Sequence, residues 1–242
     1  DLATFPDFPA EIRAPVGTTF GVSAFQINFG ARSIKTVGDR PDVLVAMNPA
    51  ALKTNLSNLR AGGLLVVDSG AFTKRNLQKA GFETNPLGTP MLDDYQVIDL
   101  AISKMTLEAV KEFGLGNKEA LRCKNLWTLC LMLWMFSRDR DPVIEWLNGK
   151  FAKKPEIAQS NIAALNAGHA FGETAELSVH FKRYQIGANK TEAGLYRTVT
   201  GSQALSWGIA AGGELAGLDI MLGSYPITPA SPILHTLSGM KE

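Results

Sequence analysis

Cysteine is scarce in this chain. Cys123 and Cys130 are the only two in 242 residues. Their spacing matches no CxxC pair, so no complete iron–sulfur or zinc site can be assembled from the chain alone. Both fall in an apolar helical stretch, where thiols behave as small hydrophobes, and a reduced, cytoplasmic setting fits them. Histidine is equally sparse. His169, His180 and His235 have neither metal-ligand spacing nor a nearby nucleophile, which argues against a catalytic dyad. Long hydrophobic runs are missing too. Leu126 to Phe136 is the longest, too short to cross a bilayer, and Ser137-Arg138-Asp139-Arg140 closes it. Nor is there an excess of one charge: the net charge is +1 and Lys and Arg are dispersed, so neither nucleic acid nor a membrane is expected as partner. Repeats, low-complexity tracts and a GxGxxG fingerprint after the first strand are also lacking, and the last weakens a dinucleotide-binding reading.

What remains is a chain rich enough in apolar residues to fold. Hydrophobic residues make up 45% and charged residues 19%, the balance of a packed globular protein. One or two strands are expected around 18–29. Asp42-Val43-Leu44-Val45-Ala46-Met47 is a short apolar run, as in a strand covered on both faces, and it stops at Asn48-Pro49. There Asn48 can cap a helix and Pro49 suits its first turn. That helix should run to about Arg60 and end at Gly62-Gly63, before the buried strand Leu64-Leu65-Val66-Val67 and the turn Asp68-Ser69-Gly70. The result is a β-α-β unit with parallel strands. Weaker strands are predicted near 82–84 and 96–101. Helices follow at about 103–113, 118–137, 141–153 and 156–172, with Gly114, Gly116, Gly149 and Gly168 near their ends. Trp127, Leu131 and Trp134 fall at helical spacing and read as core. Residues 173–200 are polar and read as a connector. A second α/β unit then opens, with helix 202–213, strand 218–224 and helix 229–240.

Chemistry is concentrated in Gly223-Ser224-Tyr225-Pro226-Ile227-Thr228-Pro229-Ala230-Ser231. Thr228 stands at the expected N-cap and Pro229 at the first helical position. Residues before proline avoid the α region, so Tyr225 and Thr228 are both held extended and the turn is stiff. Its free N–H groups and the threonine hydroxyl would suit a small anion such as a carboxylate. Local chemistry alone is satisfied by capping. Upstream, Gly201, Ala204, Gly208, Ala211 and Gly212 share roughly one helix face, read as tight helix-on-sheet packing or as room for a cofactor.

Gly201-Ser202-Gln203-Ala204-Leu205-Ser206-Trp207-Gly208-Ile209-Ala210-Ala211-Gly212-Gly213, followed by Tyr225-Pro226-Ile227-Thr228-Pro229-Ala230-Ser231, resembles the opening of the pyrimidine-binding domain of 2-oxoacid:ferredoxin oxidoreductases. The family typically reads GNEA-x-ALGA-x-AAG and then YPITPSS. The chain departs at Ser202-Gln203 and at Ala230. The first two thirds resemble the family's γ domain more weakly. Phe5-Pro6, Glu11-Ile12-Arg13, Pro41 to Val45, Leu64 to Ser69, Lys124-Asn125 and Asn161 to Gly168 carry that likeness, with Ala14-Pro15 where the family has glycines.

The resemblance implies an α/β fold: a γ-type domain with a parallel-rich sheet and a helical C-terminal half at 1–175, a connector at 176–200, and the first β/α elements of a thiamine-diphosphate pyrimidine-binding domain at 201–242. It implies that a glycine-rich segment precedes Asp1 and that the pyrimidine domain continues past Glu242. A γ domain ahead of the pyrimidine domain is similar to the 2-oxoglutarate type; pyruvate or branched-chain 2-oxoacid enzymes are the alternatives. The implied reaction decarboxylates 2-oxoglutarate oxidatively with CoA, giving succinyl-CoA and CO2 and reducing ferredoxin, or fixes CO2 in reverse. A β subunit would hold thiamine diphosphate, Mg2+ and [4Fe-4S] in an (αβ)2 assembly. Thr228 would contact the substrate carboxylate, with Tyr225, Pro226, Ile227, Pro229 and Ser231 shaping the site. Asn48 and Ser69 are candidates for CoA contact, for which a helix cap and a turn are the better explanation. Outside this class, the chain reads as a non-catalytic α/β nucleotide-binding or assembly module.

Overall fold

The computed structural model describes residues 2–9, 11, 13–174, 183–190, 192–225, 227 and 230–240. The chain divides into two compact units, Asp1–Lys190 and Thr191–Glu242.

The first unit is built on a three-stranded parallel sheet, β3 (Val43–Ala46), β4 (Leu64–Asp68) and β5 (Gln96–Leu100), in that spatial order. Every residue of β4 is buried. Its alternation sends Leu64 and Val66 to one face and Leu65 and Val67 to the other. Helices cover both faces, which is why β4 reads as an unbroken apolar run. On one side lie α1 (Pro49–Asn55) and α2 (Lys74–Lys79), whose Leu52 and Leu77 join Leu65 and Val67. On the other lie α3 (Ile102–Ala109), α5 (Lys124–Met135) and α7 (Pro155–Glu173), with Trp127, Leu131 and Trp134 over Leu64, Val66 and Ile98. Short α4 (Asn117–Ala120) leads into α5. Helix α6 (Asp141–Lys150) completes a satellite core in which Leu147 meets Cys130 and Leu165.

Local chemistry sets the boundaries. Asn48 caps α1 by accepting the Ala51 N–H at 2.9 Å, and Thr73 caps α2 by accepting that of Asn76. The strand expected near 82–84 does not form: the Phe82 N–H turns back to the Leu77 carbonyl, and Asn85-Pro86 begins a turn. Gly168 is not at a helix end but inside α7. A Cβ at Gly168 would collide with the Trp127 carbonyl, and one at Gly172 with the Trp134 ring, so the two glycines let α5 and α7 meet at backbone distance.

An antiparallel hairpin of β1 (Leu2–Asp7) and β2 (Ala24–Phe29) lies outside the parallel sheet. β1 lies outside the strands expected at 18–29, and it contains Pro6, whose missing N–H an edge strand tolerates. Phe29 meets Phe136 edge to face at 5.1 Å, and Phe136 stacks on Tyr184 at 5.4 Å, joining β2, the residue after α5 and the segment around Tyr184 within the first unit.

The second unit holds α8 (Gly201–Ala216) and α9 (Ser231–Ser238), packed on each other. The strand expected at 218–224 is not formed. Residues 218–225 are irregular, with Leu218 70% and Met221 97% exposed, because no strand among the described residues of this unit offers a ladder partner. The helix expected from 229 begins at Ser231, with Ala230 at its cap position and Pro232 in the first turn.

Candidate functional site

The carboxyl ends of parallel strands are where α/β proteins present ligand-binding groups. In the first unit that edge carries Asn48 after β3 and Asp68-Ser69 after β4. The Asn48 side chain is committed to capping α1. Ser69 opens a single 3-10 turn, Ser69–Ala71, whose carbonyl accepts the Phe72 N–H at 3.0 Å. The cap accounts for the Asn48 side chain; the turn at Ser69 is made by its backbone, and Ser69 itself is partly accessible.

A group that the sequence did not single out dominates this edge. Asp68 is fully buried. Its Oδ1 accepts the Ser103 N–H at 3.1 Å, its Oδ2 accepts the Ser103 hydroxyl at 2.5 Å, and the Lys124 Nζ lies 3.5 Å from Oδ2. Helix α3 has no side-chain cap of its own, so Asp68 caps it across the sheet while neutralising a lysine at the start of α5. An aspartate ending an otherwise apolar strand was the available signal, since a buried carboxylate requires a partner.

In the second unit, Tyr225 is 77% exposed and its carbonyl accepts the Ile227 N–H at 2.8 Å. The Ile227 carbonyl in turn accepts the N–H groups of Ala230 and Ser231, and the Ser231 hydroxyl at 3.3 Å. Thr228, Pro226 and Pro229 lie outside the described residues, as do His180 and Lys182. Upstream, Thr200 and Gln203 form a reciprocal capping box: the Thr200 N–H donates to Gln203 Oε1 at 3.0 Å, and the Gln203 N–H to Thr200 Oγ1 at 3.2 Å. This gives Gln203, a point of departure from the family pattern, a definite task. Of the glycines of α8, Gly213 is packed closely by Ile220, whereas Gly201, Gly208 and Gly212 face open space among the described residues. A Cβ at Gly201, Gly208 or Gly212 would meet nothing within 4 Å.

Both cysteines are buried and free. Burial pushes the Cys130 thiol up to about 11, against the Arg140 charge that lowers it, and burial likewise raises Cys123. Among the described residues no three His, Cys, Asp or Glu side chains gather as metal ligands, and no helix is long and apolar enough to cross a membrane.

A family model described as pyruvate ferredoxin/flavodoxin oxidoreductase matches residues 1–171. The chain is 51% identical over 242 residues to 2-oxoglutarate oxidoreductase subunit KorA of Mycobacterium tuberculosis, covering 100% of this chain and 37% of that protein. It thus spans little more than a third of that relative's length. Among solved structures, the 2-oxoglutarate:ferredoxin oxidoreductase from Magnetococcus marinus, with 2-oxoglutarate, coenzyme A and succinyl-CoA bound, matches with a TM-score of 0.62 and 21% identity. The match covers 98% of this chain and 36% of that one, and at such identity the likeness is one of fold.

Proposed function

The chain belongs to the pyruvate ferredoxin/flavodoxin oxidoreductase family, and from that premise we propose that it is part of the α subunit of a 2-oxoglutarate:ferredoxin oxidoreductase. One observation carries the substrate assignment: half of all residues, along the entire chain, are shared with a 2-oxoglutarate oxidoreductase subunit. The reaction would convert 2-oxoglutarate and CoA to succinyl-CoA and CO2, with two electrons leaving to ferredoxin, and would be reversible toward CO2 fixation.

In this reading residues 1–175 form the γ-like domain, 176–200 the connector and 201–242 the opening of the pyrimidine-binding domain. A β subunit holds thiamine diphosphate, Mg2+ and [4Fe-4S], and the two subunits work as an (αβ)2 assembly. Thiamine diphosphate, when bound, supplies the nucleophilic carbon that makes decarboxylation feasible. This chain's residues would bind and orient. Thr228 donates its hydroxyl to a carboxylate of the keto acid, and the stiff frame of Tyr225, Pro226, Ile227, Pro229 and Ser231 holds it there. Asn48 and Ser69, at the carboxyl ends of β3 and β4, border the path of CoA.

The test is product analysis. The chain, in its native reading frame and co-expressed with its β partner, is incubated anaerobically with 2-oxoglutarate, CoA and an electron acceptor, and acyl-CoA products are read by mass spectrometry. Succinyl-CoA is expected. Acetyl-CoA from pyruvate, with no succinyl-CoA from 2-oxoglutarate, would move the enzyme to the pyruvate class.

A further inference from the structure

The loop after β2 folds back on its own strand and borders an open, solvent-facing hollow of about 300 Å³. Its lining includes Arg32, Lys35, Ser33, Thr36 and Asn28, and no carboxylate. Neither Arg32 nor Lys35 has an acidic side chain within ion-pair distance among the described residues, and the nearest acid in sequence, Asp39, lies outside the lining. The loop is held by its own strand. The Gln26 side-chain amide donates to the Val37 carbonyl at 2.7 Å, and that of Asn28 to the carbonyls of Thr36 and Val37 at 3.4 Å. Gly38, which also lines the hollow, takes a left-handed φ of +86°. Two cations three positions apart repel each other, and no carboxylate among the described lining residues offsets that repulsion. An anion would remove it.

We propose that the hollow is a phosphate-binding site, taking a phosphate ester or pyrophosphate group between Arg32 and Lys35. Arginine presents a planar fork to tetrahedral oxyanions, lysine adds a compact charge, and the Ser33 and Thr36 hydroxyls supply further donors. The volume holds a phosphate with part of its ester. The proposal rests on this hollow alone and stands apart from the 2-oxoglutarate assignment.

The test is isothermal titration calorimetry of the full chain in low salt, with sodium pyrophosphate, adenosine 3′,5′-bisphosphate and succinate as probes. Saturable pyrophosphate binding is expected, with succinate at least tenfold weaker. The double variant Arg32→Gln/Lys35→Gln should lose at least tenfold in affinity, and Lys74→Gln/Arg75→Gln, which removes the same charge from exposed positions in α2, should lose less than twofold. Both pairs are exposed, and matching circular dichroism checks that the fold survives. If the bisphosphate binds more tightly than pyrophosphate and is lost with the same double variant, the natural source is a nucleotide; equal affinities indicate inorganic phosphate. Absence of saturable binding, equal loss in both double variants, or succinate binding as tightly as pyrophosphate would overturn the proposal.

Discussion

The carboxylate of Asp68 holds both the backbone N–H and the hydroxyl of Ser103, at 3.1 and 2.5 Å, joining the end of β4 to the first turn of α3. The same carboxylate faces Lys124. Asp68→Ala leaves a mostly buried ammonium and a helix N-terminus without partners. Breaking such a group by removing one member costs about 3 kcal/mol or more. The expected result is a marked fall in the denaturant midpoint at unchanged m-value, with Asp68→Asn losing less because its carbonyl oxygen still accepts from Ser103.

Two glycines in helices should respond oppositely to alanine. Gly168 abuts the Trp127 carbonyl, whereas Gly149 in α6 has open space around its would-be Cβ. Gly168→Ala should force α5 and α7 apart and destabilise by about 1–3 kcal/mol, the range for overpacking. Gly149→Ala should stabilise by about 0.5–1 kcal/mol through the helix propensity gained. Thermal unfolding of the two variants against wild type checks both signs.

Stability should fall on the alkaline side. Burial raises the Cys130 thiol from 9.0 to about 11, and Cys123 also upward. Once the pH passes 9 the unfolded chain loses these protons and the folded chain keeps them, so the thiols' contribution drains away between about pH 9 and 11. Denaturant midpoints at pH 8, 9 and 10 should decline in wild type and decline less in Cys130→Ala. Neither thiol should react with an aromatic disulfide reagent at pH 7.5 before unfolding.

Much of the fold was legible where local and tertiary demands agree. Val43 to Ala46 and Leu64 to Asp68 read as strands because sequences buried on both faces are apolar without interruption, and Asn48-Pro49 marks a helix start by capping chemistry. β1 escaped notice because its stability comes from pairing with β2 rather than from its own pattern. Residues 218–224 erred in the opposite sense: an apolar run predicts a strand, but strand structure requires a ladder partner, and none is offered among the described residues of that unit. At the carboxyl edge of the sheet, Asn48 was legible as the cap of α1 and Ser69 as part of the turn after β4. The Asp68–Ser103–Lys124 group was not, since it joins residues far apart in sequence. The capping box of Thr200 and Gln203 was not among the expectations, although a Thr followed three residues later by Gln carries its signal.

The account's central claim is tested most directly by initial rates of viologen reduction, with 2-oxoglutarate or pyruvate, by the αβ enzyme carrying this chain and its Thr228→Val variant. Wild type should need CoA and show kcat/KM for 2-oxoglutarate at least about tenfold above that for pyruvate. Loss of one hydrogen bond to a charged carboxylate should lower the variant's kcat/KM for 2-oxoglutarate roughly 10- to 100-fold, since such bonds contribute about 1.5–3 kcal/mol. Faster turnover of pyruvate, or a Thr228→Val enzyme as active as wild type, would contradict it.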